Sequence, residues 1–361
     1  MIGGTLARYF GLRFLSAAVA VFGGIFLLVV LVDYVEMTRH ASRVPNASAL
    51  VVAEISFFRV PQVTERILPF ATLIGAMACY LNLSRRLELV VARAAGISAW
   101  QFISPAIMMA LLLGAAATLV YNPISTSLRE YSKQLEAELF GERTAQQSQA
   151  GFWISQRDAD GQAVINAASS RNQGAILDAV TVLTFDPAGR FLERIEAKTA
   201  ELESGYWRLN DTNVYAVGTP PRQHTSYLLN TNLTPEQVRE SFATPETVSF
   251  WNLRHYIELA ERAGLAGAGY RLQYQLLLAR PFLLGAMVML AACVSLRFFR
   301  FGGVTKMIVG GILAGFLLYV LSKITEDLSK AELMHPLAAA WLPVLAGGVT
   351  GFVALLYTED G

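Results

Sequence analysis

Side chains arranged for catalysis are few in this sequence of 361 residues. It contains no G-x-x-x-x-G-K-[ST] phosphate loop and no H-E-x-x-H arrangement for a catalytic zinc ion. The four histidines are scattered along the chain, at His40, His224, His255 and His335. The two cysteines, Cys79 and Cys293, lie in apolar runs, which is typical of buried small hydrophobic residues. We therefore expect a protein that is not an enzyme and has no metal site or cofactor of its own.

One charged segment has residue types and spacing suited to binding a partner. Residues 84–98 read SRRLELVVARAAGIS, which predicts a short amphipathic helix that stops near Gly96. Leu87, Val90, Val91 and Ala94 share one face of this helix. Its charged side chains are those of Arg86, Glu88 and Arg93. Two interpretations stay open, namely an interfacial helix on lipid headgroups and a coupling helix that docks onto a cytoplasmic motor protein.

The composition indicates a membrane protein with a polar insert. Hydrophobic residues make up 54% and charged residues only 16% of the chain, whereas soluble domains carry roughly 25% charged residues. Residues 124–269 hold 13 Lys and Arg against 18 Asp and Glu, so this middle part is polar and acidic. The two flanking parts are apolar and slightly basic. A net charge of +1 also argues against a dedicated nucleic-acid-binding protein.

Six apolar runs are long enough to cross a bilayer as helices, which takes about 20 residues each. They are residues 14–32, 67–83, 102–121, 276–296, 304–324 and 337–357. We read the first run as a retained helix, since no small-residue cleavage site follows it. Three basic side chains near the ends of the later runs are expected to reach the membrane interface, namely Arg280, Lys306 and Lys323.

Basic residues predict the orientation, because short loops rich in Lys and Arg stay cytoplasmic. With both termini in the cytoplasm, the short inner segments carry Arg8, Arg13, Arg85, Arg86, Arg93, Arg297, Arg300 and Lys306. The outer loops carry Arg39, Arg43, Arg59, Arg66, Lys323 and Lys330, at lower density. The polar insert is then expected on the outer, periplasmic side.

The insert is predicted to be rich in β-strands. Short alternating segments are separated by turn signals, at 151–156, 163–168, 176–185, 190–197, 199–204, 206–217 and 225–230. The expected inward-facing side chains are Phe152, Trp153, Ile165, Ile176, Val180, Val182, Leu183, Phe191, Ile195, Trp207, Val214, Tyr215 and Leu228. The predicted organisation is three membrane helices with the 85–96 helix (residues 1–123), a periplasmic domain with helical connectors (124–270) and three more membrane helices (271–361).

Residues 84–98 resemble the R-x-E-x-x-x-x-x-A-x-G-x-S/T segment of the lipopolysaccharide-export ABC permeases of the LptF/LptG family. Further strings agree with that family, namely Arg8-Tyr9, RVPQ at 59–62, ILPFATLIGA at 67–76 and YVLSKI at 319–324. The resemblance covers nearly the whole chain, including the order of three spans, β domain and three spans. The stretches VDYVE at 32–36 and LSKITEDL at 321–328 look closer to the G subunit than to the F subunit.

The resemblance implies a transport subunit that extracts lipopolysaccharide from the inner membrane and passes it to a periplasmic bridge. It implies a jellyroll-like β-domain at 150–235 that joins this bridge. The implied partners are an LptB-like cytoplasmic ATPase dimer that binds the ATP, an LptF-like sister permease and an LptC-like single-span bridge protein. By motif position, Glu88 is the coupling-helix carboxylate, and the coupling set is Arg86, Leu87, Glu88, Val91 and Arg93.

The family resemblance also implies a lateral lipid gate between the first and fifth membrane helices. Charged side chains near the outer ends of those helices are Asp33, Glu36, Arg39, Arg43, Lys323, Glu326 and Asp327. Cations there suit lipid phosphates, while helical pairs from Lys323 to Glu326 or Asp327 are the structural alternative. Asp33 stands where related chains often have Lys, so a phosphate contact falls to Arg39 or Arg43. Asp33 itself is expected to bind a cation or to pair with Lys323.

A different class of function also fits the same features. A scaffold protein would relay the motion of an ATPase to periplasmic partners without moving lipid itself. Lipid contact at the first and fifth membrane helices distinguishes the two classes, because only the transporter requires it.

Overall fold

The computed structural model describes residues 4–42, 48–140, 152–158, 161–171, 176–186, 189–203, 205–216, 218, 220–231, 245–262, 267–299 and 304–359. Its helices are α1 (Gly4–Ala41), α2 (Ala49–Arg85), α3 (Glu88–Ala94), α4 (Ala99–Ala116), α5 (Asn122–Phe140), α6 (Phe250–Arg262), α7 (Ala268–Phe299), α8 (Val304–Lys330) and α9 (Pro336–Glu359). A π-helical turn, Ala117–Tyr121, joins α4 to α5, and a 3₁₀ turn spans Pro245–Thr247. The strands are β1 (Phe152–Asp158), β2 (Gly161–Arg171), β3 (Ile176–Phe185), β4 (Phe191–Glu203), β5 (Tyr206–Ala216) and β6 (Arg222–Asn230).

Six helices in the described part of the chain are long and apolar enough to cross a membrane. They are Gly4–Ala41, Ala49–Arg85, Ala99–Phe140, Ala268–Leu296, Ile308–Lys330 and Pro336–Tyr357. The prediction of three helices, a β-rich insert and three further helices is confirmed. The first two helices extend beyond the predicted apolar runs, because their polar ends continue the helical hydrogen bonding outside the hydrocarbon core.

The chain divides into two compact units. The membrane unit contains residues 1–132, 248–254 and 268–361, and the β unit contains residues 133–247 and 255–267. Helix α7 is central in the membrane unit, since α2, α4, α8 and α9 all pack against it. Helix α1 packs against α2 and α4. At Gly75 of α2, a Cβ atom would lie 2.5 Å from the Cα atom of Ala18 in α1, so this crossing requires a glycine.

Two prolines inside membrane helices expose carbonyl groups that neighbouring helices satisfy. Pro281 has no N–H, so the carbonyl of Leu277 one turn earlier lacks its helical partner. The hydroxyl of Thr118, in the π-helical turn, donates to that carbonyl at 2.9 Å. Pro343 affects Ala339 in the same way, and Thr325 Oγ1 of α8 donates to the Ala339 carbonyl at 2.9 Å. These hydroxyls supply the hydrogen-bond donors that lipid cannot offer to the two carbonyl groups.

A buried ion pair joins α2 to α7. Glu65, whose side chain is 5% exposed, pairs with Arg280, whose side chain is 14% exposed. Asn122 Nδ2 donates to Glu65 Oε1 at 2.9 Å, and Ser125 Oγ donates to Glu65 Oε2 at 2.8 Å. The guanidinium of Arg280 turns inward to a carboxylate, and its position at the membrane interface stays a prediction. We call Glu65, Asn122, Ser125 and Arg280 the Glu65 cluster.

The Glu65 cluster also binds the first residue of α6. Asn122 Oδ1 accepts the backbone N–H of Phe250, the first residue of α6, at 2.9 Å. One asparagine thus satisfies the glutamate with its amide nitrogen and the start of a helix with its amide oxygen. The two connecting helices, α5 and α6, are thereby tied to α2 and α7 through one set of hydrogen bonds.

The β unit contains an antiparallel sheet with the strand order β1-β2-β3-β4-β5-β6. Each strand lies beside its neighbours in sequence, so the described strands form a meander. This order confirms the prediction of an all-β insert and shows the described strands of the expected jellyroll-like domain as a meander.

Burial, together with the hydrogen bond that Tyr227 donates to Glu193, raises the pKa of Tyr227 to about 12, so this phenol stays protonated at neutral pH.

In the sheet, the alternation of buried and exposed residues is interrupted at neighbouring positions of β3, β4 and β5. Buried positions in β5 are 207 and 209, then 212 and 214, and in β4 they are 195 and 197, then 200 and 202. Ala179 of β3 and Asp211 of β5 have φ values of 49° and 53° at these positions, and Lys198 of β4 lies between them. The predicted strands 190–197 and 199–204 are therefore one strand, since the broken alternation is a local backbone distortion rather than a turn.

The core of the β unit confirms part of the predicted inward face. Predicted residues that are buried are Ile165, Val180, Val182, Ile195, Trp207 and Val214. Phe191, Tyr215 and Leu228 are exposed, and Ile176 and Leu183 are intermediate. The side chains of Phe152 and Trp153 lie outside the described part. Tyr215 and Leu228 alternate with the inward-facing Val214 and Tyr227, so both point outward, and Phe191 is the first residue of β4.

We predict that Glu65→Ala destabilises the membrane unit by about 3–5 kcal/mol, since it leaves the Arg280 guanidinium buried without its carboxylate. The free energy of unfolding in mixed detergent micelles measures this loss. The matched control is Glu54→Ala, because Glu54 is an exposed glutamate of the same helix. Glu65→Ala combined with Arg280→Met should recover part of the loss. Equal stabilities of the Glu65→Ala and Glu54→Ala variants would contradict the structural role of the pair.

We predict that Trp207→Ala destabilises the β unit by about 3–5 kcal/mol, the cost of a large cavity in a packed core. Trp207 is fully buried, so its removal leaves a cavity enclosed by packed core residues, which can relax only in part. Limited proteolysis of the full chain as a function of temperature measures the opening of the β unit. Leu228→Ala, at an exposed position of the same sheet, serves as the control and should shift the transition little.

Candidate functional site

The predicted coupling segment, residues 85–96, is a tight connection between α2 and α4. Leu87 takes a left-handed backbone conformation with φ 61°, which ends the run of α2 and starts α3 in a new direction. After α3, the N–H of Gly96 donates to the Arg93 carbonyl and the N–H of Ile97 to the Ala92 carbonyl. This pair of bonds is a Schellman motif, and its left-handed position is taken by Gly96 at φ 81°.

Helix α4 begins with a capping box that fixes the end of the coupling segment. The N–H of Gln101 donates to Ser98 Oγ at 3.4 Å, and the N–H of Ser98 donates to Gln101 Oε1 at 3.2 Å. The C-terminal end of the segment is thus determined by local sequence, with Gly96 at the turn and Ser98 at the start of α4. At its other end, α3 begins at the left-handed Leu87 without a side-chain cap.

The coupling segment presents an apolar surface between basic side chains. Leu89 and Ala92 are buried in the membrane unit. Leu87, Val90 and Val91 are 58%, 46% and 66% exposed. Arg86, Arg93 and Ala94 are exposed as well. The predicted face of Leu87, Val90, Val91 and Ala94 is therefore turned away from the protein core, where it is available to another surface.

Among the described residues, Glu88 is the member of the predicted coupling set whose side chain hydrogen-bonds to another membrane helix. Tyr9 OH of α1 donates to Glu88 Oε2 at 2.9 Å. Arg13, one turn further along α1, donates from Nε to Tyr9 OH at 3.2 Å, and its guanidinium lies 5.2 Å from the centre of the tyrosine ring. Two hydrogen bonds in series thus run from Arg13 through Tyr9 to the glutamate.

Four of the charged residues predicted for the lipid gate form ion pairs, on α1 or on α8. Asp33 of α1 lies 3.5 Å from Arg59 of α2, so the expected pairing of Asp33 with Lys323 is wrong. Lys323 lies 3.6 Å from Glu326 and 3.1 Å from Asp327 on its own helix. Lys330 reaches Glu326 at 2.7 Å.

The remaining gate residues have different surroundings. Glu36 and Arg39 are exposed near the end of α1, and neither forms an ion pair within the described ranges. Arg43 lies outside the described residues. Among cations predicted for the gate, Arg39 is therefore open to a phosphate, whereas Lys323 is shared between two carboxylates.

Two membrane helices expose long apolar faces in this single chain. In α1 the exposed side chains include Leu27, Leu28, Leu31, Val32 and Val35. In α8 they include Ile308, Val309, Ile312, Leu313, Phe316 and Leu317. These helices correspond to the first and fifth predicted spans, so the helices of the predicted gate carry much exposed apolar surface in this single chain.

Several important residues were missed by sequence reasoning. Glu65 lies just before the predicted span 67–83, and Arg280 lies near the start of the predicted span 276–296. Opposite charges at such positions are a signal for pairing. Tyr9 was part of a recognised string but received no partner. Within the described ranges, no three His, Cys, Asp or Glu side chains come together as a possible metal site.

Comparison with known proteins agrees with the geometry. The family described as "Lipopolysaccharide export system permease LptF/LptG" matches residues 8–357. The permease protein LptG of Haemophilus influenzae is 24% identical over 347 residues, covering 94% of this chain and 95% of the relative. LptG of Escherichia coli strain K12 is 22% identical over 346 residues, covering 94% of each chain. Because the family match includes the six helices, the coupling segment and the β-strands, this LptG-like chain belongs to the LptF/LptG family of lipopolysaccharide export system permeases.

Proposed function

We propose that the chain is the G-type permease subunit of an ABC transporter that extracts lipopolysaccharide from the inner membrane. In this proposal a separate ATPase supplies the energy, and the lipid passes to a periplasmic bridge toward the outer membrane. The observation that carries the proposal is the exposed coupling segment in a six-helix chain of this family. The family places the activity in lipopolysaccharide export, and the segment provides a surface for an external motor.

The coupling segment suits a protein partner better than a lipid surface alone. Its exposed apolar side chains form a compact patch, and Arg86 and Arg93 lie beside it. Apolar residues flanked by charges are typical of a docking surface, in which burial supplies affinity and charges supply orientation. We propose that Arg86, Leu87, Glu88, Val91 and Arg93 bind an LptB-like ATPase dimer in the cytoplasm.

The opposite ends of α1 and α8 suit the chemistry of the lipid. Lipopolysaccharide combines several acyl chains with phosphate groups, so an extracting cavity needs apolar walls and cations at the rim. The exposed faces of α1 and α8 supply the walls in this proposal. Arg39 offers a planar guanidinium that can bind phosphate with two hydrogen bonds, and Lys323 offers a point charge.

The proposed assembly contains three further proteins. An LptF-like sister permease covers part of the exposed apolar surface and completes the cavity, and an LptC-like single-span protein joins the β unit to the bridge. The acidic β unit is then periplasmic and both termini are cytoplasmic, as the density of Lys and Arg predicts. ATP binds to the ATPase dimer, so this chain needs no cofactor of its own.

We predict that Glu88→Ala weakens binding of the ATPase dimer about tenfold or more, the scale of one lost charge-assisted hydrogen bond. The binding constant is measured with the purified permease pair in nanodiscs and the labelled ATPase. The control is Glu332→Gln, which alters an exposed glutamate in the turn between α8 and α9. Undiminished binding by the Glu88→Ala variant would exclude the coupling role.

We predict that photoreactive side chains at positions 31 and 316 crosslink to lipopolysaccharide in the assembled complex, and that ATP hydrolysis reduces the crosslinks. Leu31 and Phe316 are exposed apolar residues of α1 and α8. Position 345 serves as control, since Leu345 is equally exposed on α9 but lies outside the proposed gate. Crosslinks that do not respond to ATP at positions 31 and 316 would favour a scaffold that relays motion without moving lipid.

A further inference from the structure

The Arg13–Tyr9–Glu88 chain joins two parts of the membrane unit that are distant in sequence. Tyr9 and Glu88 are separated by 79 positions, and their hydrogen bond measures 2.9 Å. Tyr9 uses its hydroxyl in both directions, since it accepts from Arg13 Nε at 3.2 Å and donates to the carboxylate. A cation that donates to a phenol oxygen polarises the phenol, which strengthens the bond that the phenol donates.

Tyr9 is 37% exposed and lies on α1 beside the buried Phe10. Its ring meets that of Phe10 edge to face at 5.8 Å, and Phe10 contacts Phe102 of α4 with a centroid distance of 6.3 Å. Phe10 and Phe14 are buried in the core of the membrane unit. The backbone at Tyr9 is thus anchored by its buried neighbour, and the phenol shifts relative to α1 only by rotating its own side chain.

Helix α1 reaches from this contact to the proposed lipid gate. It is one continuous helix of 38 residues without proline, so it is about 57 Å long at a rise of 1.5 Å per residue. Tyr9 lies in its first turns, and Glu36 and Arg39 lie in its last turns. The exposed apolar face with Leu31 lies between the two ends. A displacement at the first end is thus carried along the helix that forms one side of the gate.

The polar link differs from the packing that also holds α3. Leu89 and Ala92 are buried against the membrane unit, and the hydrophobic stabilisation of such packing has no preferred direction. A hydrogen bond to a carboxylate is directional and loses strength when the two atoms move apart or out of line. The bond between Tyr9 and Glu88 therefore adds a directional contact to this packing.

We propose that Tyr9, supported by Arg13, is a positioning residue that fixes Glu88 and transmits displacement of the coupling segment to α1. The inference rests on the proposed function, because Glu88 must face the ATPase for its displacement to follow ATP binding. In this mechanism, movement of Glu88 by the ATPase moves the first membrane helix through Tyr9.

The decisive variant is Tyr9→Phe, which removes only the hydroxyl and keeps the ring and its aromatic contacts. We expect the ATPase to bind this variant with an affinity within about twofold of wild type, because the Glu88 carboxylate remains. Lipopolysaccharide released per ATP hydrolysed should fall about fivefold or more, the scale of one hydrogen bond to a charged group. Both quantities are measured with the complete permease, bridge and ATPase complex in proteoliposomes.

Two further variants separate positioning from packing. Tyr357→Phe is the matched control, since Tyr357 is 80% exposed near the end of α9, and release per ATP should not change. Arg13→Gln should lower release per ATP less than Tyr9→Phe does. The double variant should be no worse than Tyr9→Phe alone, because Arg13 acts through the phenol that is then absent.

Three results would overturn the inference. They are equal release per ATP for Tyr9→Phe and Tyr357→Phe, a loss of ATPase affinity as large as the loss of release, and additive losses in the double variant. A wild-type complex that binds no ATPase or releases no lipopolysaccharide would refute the proposed function itself. That result is distinct, since it appears without any substitution at Tyr9.

Discussion

The buried ion pair of Glu65 and Arg280 is the constraint on which the membrane unit depends. Inside a bilayer an unpaired charge is costly, so each group requires the other, and both require further hydrogen bonds. Asn122 and Ser125 complete the glutamate's hydrogen bonds, and Asn122 also accepts from the start of α6. The pairing therefore determines how α2 and α7 pack and where α5 and α6 begin.

The same rule explains other features of the membrane unit. The prolines of α7 and α9 would leave carbonyl groups without partners in lipid, and the hydroxyls of Thr118 and Thr325 satisfy them. Near the start of α1, the hydroxyl of Tyr9 likewise donates a hydrogen bond to the Glu88 carboxylate. Interhelical hydrogen bonds thus contribute to the helix contacts, while α1 and α8 keep exposed apolar faces.

Much of the architecture could be predicted from sequence because hydropathy and turn chemistry are local signals. Six apolar runs predict six spans, and Gly96 predicts where the short helix of the coupling segment stops. The β-strands were also found, apart from the false division of β4 at Lys198. That error arose because alternation of apolar and polar residues identifies the inward face only where the strand is regular. The positive φ values of Ala179 and Asp211 interrupt this regularity in the strands beside Lys198.

The amino-acid sequence by itself determined the class of protein, the number of spans, the polar insert and the coupling segment. Each of these follows from residues close together in the chain, whose hydropathy or capping acts locally. Only the tertiary structure decided that Glu65 pairs with Arg280, Asp33 with Arg59, and Glu88 with Tyr9. Partners of a charged side chain depend on which helices lie side by side, and that arrangement results from the packing of the whole membrane unit.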